Sequence, residues 1–532
     1  MYLIPGFNMD THSFDQDEVV QIARIMTAND YPFNLITVTQ LPAIHYQLRE
    51  AGLANVDVWQ AYDEIQGIDV TAGTPMNVNE LPFPPGVTPV YLEGSVRYYQ
   101  GEDTFALVHL YKDGFVWQVD YPQADGTVMT DQYDDRGLLL TRTKSASDHA
   151  VLLRQWYSPA GDVVMIATQG GGVQIMDVAA SRFDQRHYPS VEAVVAEVLG
   201  RHIAQDHDEL AITGPFSGLL ALRSLRDLRL RLGVLMSSRD LAAGDRLKNL
   251  GQLARHDLII SPTHTDLRII QQSPLARRIS HVPQVVLPTR ATTLSLGVSN
   301  ELAEQIIAWR VGDASDSLVR QVMATLTAGM AKHDDWQLVI GTASTAQQTD
   351  LTDHVQAWVA DKYGVDLDSD DYQQVADYFN ARAQGQMMVE TERVGESLKK
   401  RVDWSALSGA YSVLARIAIR KPLSITDWGQ QIHSARIVIN TDGQSDLSLQ
   451  VLAVSAGIPQ LNMAASDLLI DHQNGRLVHD SSDIARGLDY YLGTLAHWNQ
   501  ALVVNAQLIE RYSAERIIAA WKKVMSDGAK DN

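Results

Sequence analysis

Residues 1–85, and again the stretch beyond about 186, alternate short apolar strands with helical segments, and few folds accommodate that alternation. A strand–helix–strand rhythm builds a parallel sheet with helices on its faces. Tyr2-Leu3-Ile4 is a short apolar strand ending at Pro5-Gly6. Val19, Val20, Ile22, Ala23 and Met26 fall at helical spacing within 17–28. Phe33 to Val38 reads as the next strand, followed by a helix ending near Gly52. Between 88 and 185 the rhythm changes. Phe105–Leu110, Phe115–Val119 and Val163–Ala167 are short runs rich in β-branched and aromatic residues. They are separated by YKDG at 111, QADG at 123, YDDRG at 133 and YSPAGD at 157. Asp-Gly pairs supply the left-handed backbone that hairpins need. The Pro-rich LPFPPGVTP at 81–89 marks the border. An antiparallel meander inserted into an α/β domain is expected.

The first rhythm then resumes. Val191 to Ile203, Ser217 to Arg229 and Asp240 to Ala254 read as helices. Strands are expected at Glu209–Thr213, Leu232–Met236, Asp257–Ile260 and Val285–Leu287. A second α/β domain begins near 298, with strands at Trp336–Ile340 and Arg436–Ile439 and a helical stretch over 490–525. The expected division is one Rossmann-like domain from 1–87 and 186–297, an inserted meander at 88–185 with its own core, and a second Rossmann-like domain at 298–532 closed by a crossing helix.

With 532 residues the chain is long enough for two or three domains. The absence of cysteine excludes disulfides, a thiol nucleophile and cysteine-ligated metal. A net charge of −21 disfavours nucleic acid and anionic membrane surfaces. Arg223, Arg226, Arg229 and Arg231 are read as a solvated helix face running into a strand. MYLIPGFNMD lacks the features of a secretory signal, and no apolar run is long enough to span a bilayer. Any membrane role is expected to be peripheral.

Most motif candidates read as local structure. Gly214-Pro-Phe-Ser217-Gly218 has Pro215 where a nucleophile elbow needs glycine, so Ser217 reads as a helix cap. Gly170-Gly171-Gly172 is followed by a strand-like run and not by a phosphate loop's Lys-Ser. Asp366, Asp368 and Asp370 begin like a calcium loop, but Asp371 stands where glycine is required. An acidic loop capping a helix from about Tyr372 is expected. The 16 histidines show no metal spacing, and neither metal nor cofactor is expected. Loops after parallel strands face the ligand crevice of a doubly wound sheet. That rule makes Gly6, Asn8, Gly214, Ser217, Gly341, Thr342, Asp442, Gln444 and Ser445 the candidate cleft residues.

The stretch TDGQSDLSLQVLAVSAGIPQL, 441–461, reads as a loop, a buried helix and a turn into a strand. Ser448, Leu449, Leu452, Ala453 and Ala456 lie near helical spacing, and Gly457 and Pro459 end the helix. It resembles the nucleotide-sugar site of GT-B glycosyltransferases. Many retaining members carry two glutamates there, eight positions apart. Matching SAGIPQL to the family's turn places those positions at Gln444 and Leu452, neither of them a carboxylate.

Over most of its length the chain is similar to one family, that of the first accessory secretory protein of the accessory Sec system (Asp-one). MYLIPGFN, DEVVQIARIMTAND, LPAIHYQLREAGL with VDVWQAYDEIQGI, YDDRG and SAGIPQLN carry the resemblance through their order and spacing. It implies a GT-B-like α/β fold, with two Rossmann-like domains facing a cleft and an inserted antiparallel β region. It also implies a non-catalytic adaptor needed to export glycosylated serine-rich-repeat adhesins, with a degenerate cleft able to hold glycan. The implied partners are two other accessory secretory proteins, the second SecA ATPase and the adhesin. The implied place is the cytoplasm, at the inner face of the membrane without insertion. Two rivals stand beside this reading: an active glycosyltransferase modifying the adhesin, and a purely structural subunit. The meander aromatics Tyr98, Tyr99, Tyr111, Trp117 and Tyr121 read as sheet packing before a binding face.

Overall fold

The computed structural model describes residues 1–6, 14, 17–112, 114–204, 210–214, 230–385, 389–444 and 446–527. The chain forms two compact units, 1–289 with 517–532, and 290–516.

The first unit contains a seven-stranded parallel sheet. Its strands are β1 (Tyr2–Ile4), β2 (Asn34–Thr37), β3 (Val58–Gln60), β14 (Leu210–Thr213), β15 (Arg231–Leu235), β16 (Leu258–Ser261) and β17 (Gln284–Val286), in the order β17-β16-β15-β14-β1-β2-β3. Parallel strands are covered on both faces and so read as unbroken apolar runs. Tyr2, Leu3 and Ile4 are accordingly fully buried. The helix Glu18–Ala28 begins at Asp17, whose Oδ1 accepts the amides of Val19 and Val20 at 2.8 and 3.0 Å. The segment expected as a helix from Asp240 is a 3-10 helix, Ser238–Gln252. Gly244 and Gly251 within it weaken the preference for a regular α-helix.

Ten strands form the antiparallel sheet: β4 (Thr88–Leu92), β5 (Ser95–Gln100), β6 (Asp103–Leu110), β7 (Val116–Pro122), β8 (Val128–Tyr133), β9 (Leu139–Ser145), β10 (Val151–Tyr157), β11 (Val163–Thr168), β12 (Val173–Ile175) and β13 (His187–Tyr188). They pair in strict chain order. Gly114, Gly126, Gly137 and Gly161, each read from the sequence as a turn glycine, have positive φ.

The meander does not keep a core of its own throughout, and this corrects the sequence reading. One end does: Val96, Tyr98, Ala106, Val108, Val116, Val119 and Tyr133 cluster with Leu81. The other end shares the core of the parallel sheet. Trp156, Val164, Met165, Val173 and Ile175 pack in one cluster with Tyr2, Ile4, Ile36, Ala61 and Ile65. The helix Val191–Ala204 completes that cluster with Val194, Val195, Val198 and Leu199.

Two of the family-like motifs are buried polar fasteners across this seam. Gln66 Nε2 donates to the carbonyls of Leu140 and Tyr157 at 3.0 and 2.7 Å. Its Oε1 accepts Gln40 Nε2 at 2.9 Å, and Gln40 Oε1 accepts the Trp156 indole at 3.1 Å. Arg136 of the YDDRG turn grips Asp63 with both terminal nitrogens at 2.7 and 2.8 Å. Its Nε donates to Asp134 at 2.6 Å, and Nη1 also meets the Val70 carbonyl at 2.9 Å. Asp135 accepts the Tyr46 amide at 2.8 Å and lies 2.8 Å from His45 Nδ1.

The second unit carries a six-stranded parallel sheet: β18 (Gln305–Arg310), β19 (Trp336–Gly341), β20 (Ile417–Arg420), β21 (Ile437–Asn440), β22 (Gln460–Asn462) and β23 (Gly475–Leu477), in the order β20-β19-β18-β21-β22-β23. Alternation along a strand divides its core. Ile307, Trp309, Ile437 and Ile439 face one cluster, while Ala308 and Val438 face the other with Leu449 and Ala453. The helix after the acidic loop starts at Asp370, and its cap is Ser369, whose hydroxyl accepts the Tyr372 amide at 3.3 Å. The expected terminal helical stretch is broken into Ser481–Gly493, Leu495–Arg511 and Ala514–Asp527. Thr494, in extended backbone, separates the first two.

Candidate functional site

In each parallel sheet the strand order reverses at one point, and the loops there flank a crevice. In the first unit that point lies between β1 and β14. Gly6 and Gly214 are brought together there: a Cβ on Gly214 would lie 3.2 Å from Gly6 Cα. Asn8 and Ser217 lie outside the described residues, as do Arg223, Arg226 and Arg229.

Carboxylates line this edge of the sheet. Asp17 Oδ2 accepts the Gly6 amide at 2.7 Å, which ties the loop after β1 to the first helix. Asp240 Oδ2 accepts the Ser237 amide and hydroxyl at 2.7 and 3.1 Å. Asp266 accepts Ser238 Oγ and Thr263 Oγ1, both at 2.6 Å. Glu18 accepts the Thr289 hydroxyl. Burial pushes Asp17 up to about 6 against the pull of its amide donors. Burial also pushes Asp240 up to about 6, and the neighbouring charges of Glu18 and Asp17 add to the effect.

A folded-state value above the unfolded one means that stability is lost as pH rises from about 4 through about 6. Asp240→Asn keeps one oxygen for both Ser237 donors and removes the charge. The variant should match the wild type near pH 4 and exceed it by about 1–3 kcal/mol at pH 7.5. Urea unfolding at the two pH values checks this, and a pH-independent difference would contradict it.

In the second unit the reversal lies between β18 and β21. Arg310 ends β18 and pairs with Asp446, and its other nitrogen lies 3.9 Å from Asp442 Oδ2. Asp446 also caps the helix Leu447–Ala456 by accepting the Leu449 amide at 3.1 Å. The Gly443 amide donates to Asp313 Oδ1 at 2.8 Å. Thr441 Oγ1 donates to the Val311 carbonyl at 2.8 Å and accepts the Trp309 indole at 3.0 Å. Gly312 has φ 62°, and a Cβ there would lie 2.7 Å from Asp442 Cβ. The loops after β18 and β21 are thus fastened to each other.

Asp442 and Gln444 share the second of these loops. Asp442 Oδ1 accepts the Gln444 amide at 3.0 Å, and the Gln444 side chain is exposed. Leu452 packs, half-buried, against the cluster of Trp428, Leu449 and Ile458. Gly341 ends β19 and Thr342 follows it, one strand away from the reversal. A Cβ on Gly341 would strike Trp428 at 2.3 Å, and Thr342 Oγ1 donates to the Arg420 carbonyl at 2.8 Å. Ser445 lies outside the described residues. Sequence reasoning missed Arg310, Asp313 and Asp446. Arg310 offered one signal, as a charge closing the apolar run IIAW, and Asp446 another, as the acidic residue before a helix.

Among the described residues no group of three or more His, Asp or Glu is placed to hold a metal ion. Among them, too, no helix is long and apolar enough to cross a membrane.

Comparison with known proteins agrees with the geometry. The family model for the accessory Sec system protein Asp-one matches residues 4–528. A curated relative, the accessory Sec system protein Asp-one of Streptococcus gordonii, is 23% identical over 537 residues, covering 99% of this chain and 95% of its own length. A crystal structure of accessory secretory protein 1, 2 and 3 in Streptococcus pneumoniae contains a chain that superposes with a TM-score of 0.73 at 16% identity, with all of both chains covered. The pneumococcal O-GlcNAc transferase GtfA, in complex with UDP and GlcNAc, superposes with a TM-score of 0.64 at 12% identity over 99% of each chain. The fold is α/β and GT-B-like, with parallel sheets and an added antiparallel sheet.

Proposed function

The chain belongs to the Asp-one family of accessory Sec system proteins, and on that footing we propose that it is a non-catalytic adaptor for export of a glycosylated serine-rich-repeat adhesin. It works with two other accessory secretory proteins and the second SecA ATPase. Those partners, and not lipid, hold it at the inner face of the membrane. A net charge of −21 is in keeping with that, since anionic lipid repels it on balance.

One observation carries the non-catalytic reading. A sugar-nucleotide donor brings a diphosphate that needs a free cation and a ribose that needs a charged acceptor. The Arg310 guanidinium is engaged by Asp446 and faces Asp442. The positions matched to the family glutamates are an exposed Gln444 and a packed Leu452. In the first unit Gly6 and Gly214 bring no charge to their crevice, and in the second unit Gly341 and Thr342 bring none while Asp442 brings a negative one. Each of these loop sets suits neutral hydroxyls, as on a glycan, better than a phosphate. The rival reading, an active transferase, has likeness of fold to support it.

Calorimetry with UDP-sugars, paired with a hydrolysis assay, tests this. No tight binding and no sugar release are expected. A micromolar dissociation constant, about −8 kcal/mol, together with turnover would overturn the reading.

A further inference from the structure

We propose that β4, Thr88–Leu92, is where a partner protein adds a strand of its own to the antiparallel sheet. That strand is apolar in its middle and carries Lys or Arg at its flanks. The proposal rests on the reading that the chain works in a complex, and it names the surface and the chemistry of the contact.

Among the described residues, β4 pairs only with β5, and its outer edge is the end of the ten-stranded sheet. All five of its residues are exposed, Val90 by 44%, Tyr91 by 68% and Leu92 by 48%. The register shows what this exposure means. Tyr91 stands opposite Val96 and Pro89 opposite Tyr98. Val96 and Tyr98 are buried in the core cluster, and Phe83 packs edge-on against Tyr98 at 4.6 Å. Side chains directly opposite on paired strands share a face. The core face of the sheet therefore runs one strand further, onto Pro89 and Tyr91, and stops there in solvent. Val90 and Leu92 leave the other face apolar as well.

Edge strands are normally guarded by charges, proline, bulges or shortness. The opposite edge of this sheet follows that rule: β13 has two residues, and Tyr188 is buried with its hydroxyl on Glu197. β4 has five residues, no charged residue and an unbroken register with β5. Pro89 alone removes one donor. Main-chain pairing supplies affinity in such strand addition, and alternate side chains supply specificity.

Charge selects the occupant. Exposed Glu93 follows one end of β4. Exposed Glu102 and Asp103 lie at the turn beyond the other end, where Thr88 pairs with Tyr99 and Gln100 with Asp103. Two copies paired at this edge would each bring a net charge of −21, and that self-repulsion disfavours the pairing. A foreign strand with basic flanks is complementary to both ends.

The test uses the full chain and the two other accessory secretory proteins. Val90→Asp with Leu92→Asp places charges on the edge without touching the core. The isolated double variant should keep the wild-type melting temperature. Its affinity for the partners should fall roughly tenfold or more, as for loss of anchoring contacts. Val503→Asp, at a 59% exposed position in the second unit, is the control and should bind normally. In the wild-type complex, amide exchange over 88–92 should slow. Unchanged affinity of the double variant, or unchanged exchange over 88–92, overturns the proposal. A wild-type homodimer that the double variant abolishes also overturns it, in favour of a second copy. Failure of the wild type itself to bind either protein would instead strike the functional reading beneath it.

Discussion

Excising residues 88–185 and joining the ends with a short linker is expected to leave no folded first unit. The excision removes Trp156, Val164, Met165, Val173 and Ile175 from the cluster around Tyr2, Ile4, Ile36 and Ile65. Each buried side chain of this size contributes about 1.5–3 kcal/mol. Their joint loss is on the order of 10 kcal/mol, comparable with the whole stability of a domain. It also leaves Gln66 and Asp63 facing no partner across the seam. A smaller change isolates that polar part. Arg136→Ala keeps every apolar contact of the cluster but leaves Asp134, itself buried, and half-buried Asp63 without their cation. Breaking a buried pair from one side costs about 3–5 kcal/mol. Lysine should rescue little, since a point charge cannot hold two carboxylates as the forked guanidinium does. Removing the exposed Lys112–Glu50 pair should cost under about 1 kcal/mol by comparison. Circular dichroism and urea unfolding read all four variants. A cooperative, wild-type-like transition in the excised protein would contradict the shared core.

That shared core also shows where the sequence was readable and where it was not. β1 and β21 were legible because a strand buried on both faces must be apolar throughout. The hairpin turns were legible because positive φ favours glycine at sites such as Gly126 and Gly161. The seam was not. Local patterning shows that β10 and β11 are strands, but not which distant surface covers their inner face. Arg136 and Asp63 are 73 positions apart, and their bond is a matter of tertiary placement alone. The site divides in the same way. The loops carrying Gly6, Gly214 and Asp442 followed from the rule that crevices form after parallel strands. The pairing of Arg310 with Asp446 did not, because both residues have ordinary local roles, at a strand end and at a helix cap.

On the proposed function, the chain moves an adhesin and does not modify it. Deleting the gene in the native host, while keeping the adhesin and its glycosyltransferases, is the most direct test. The predicted result is adhesin that carries its normal glycan, judged by lectin blot and mass, yet stays inside the cell while general secretion continues. Adhesin that reaches the surface at wild-type levels, or that loses its glycan, would contradict the account.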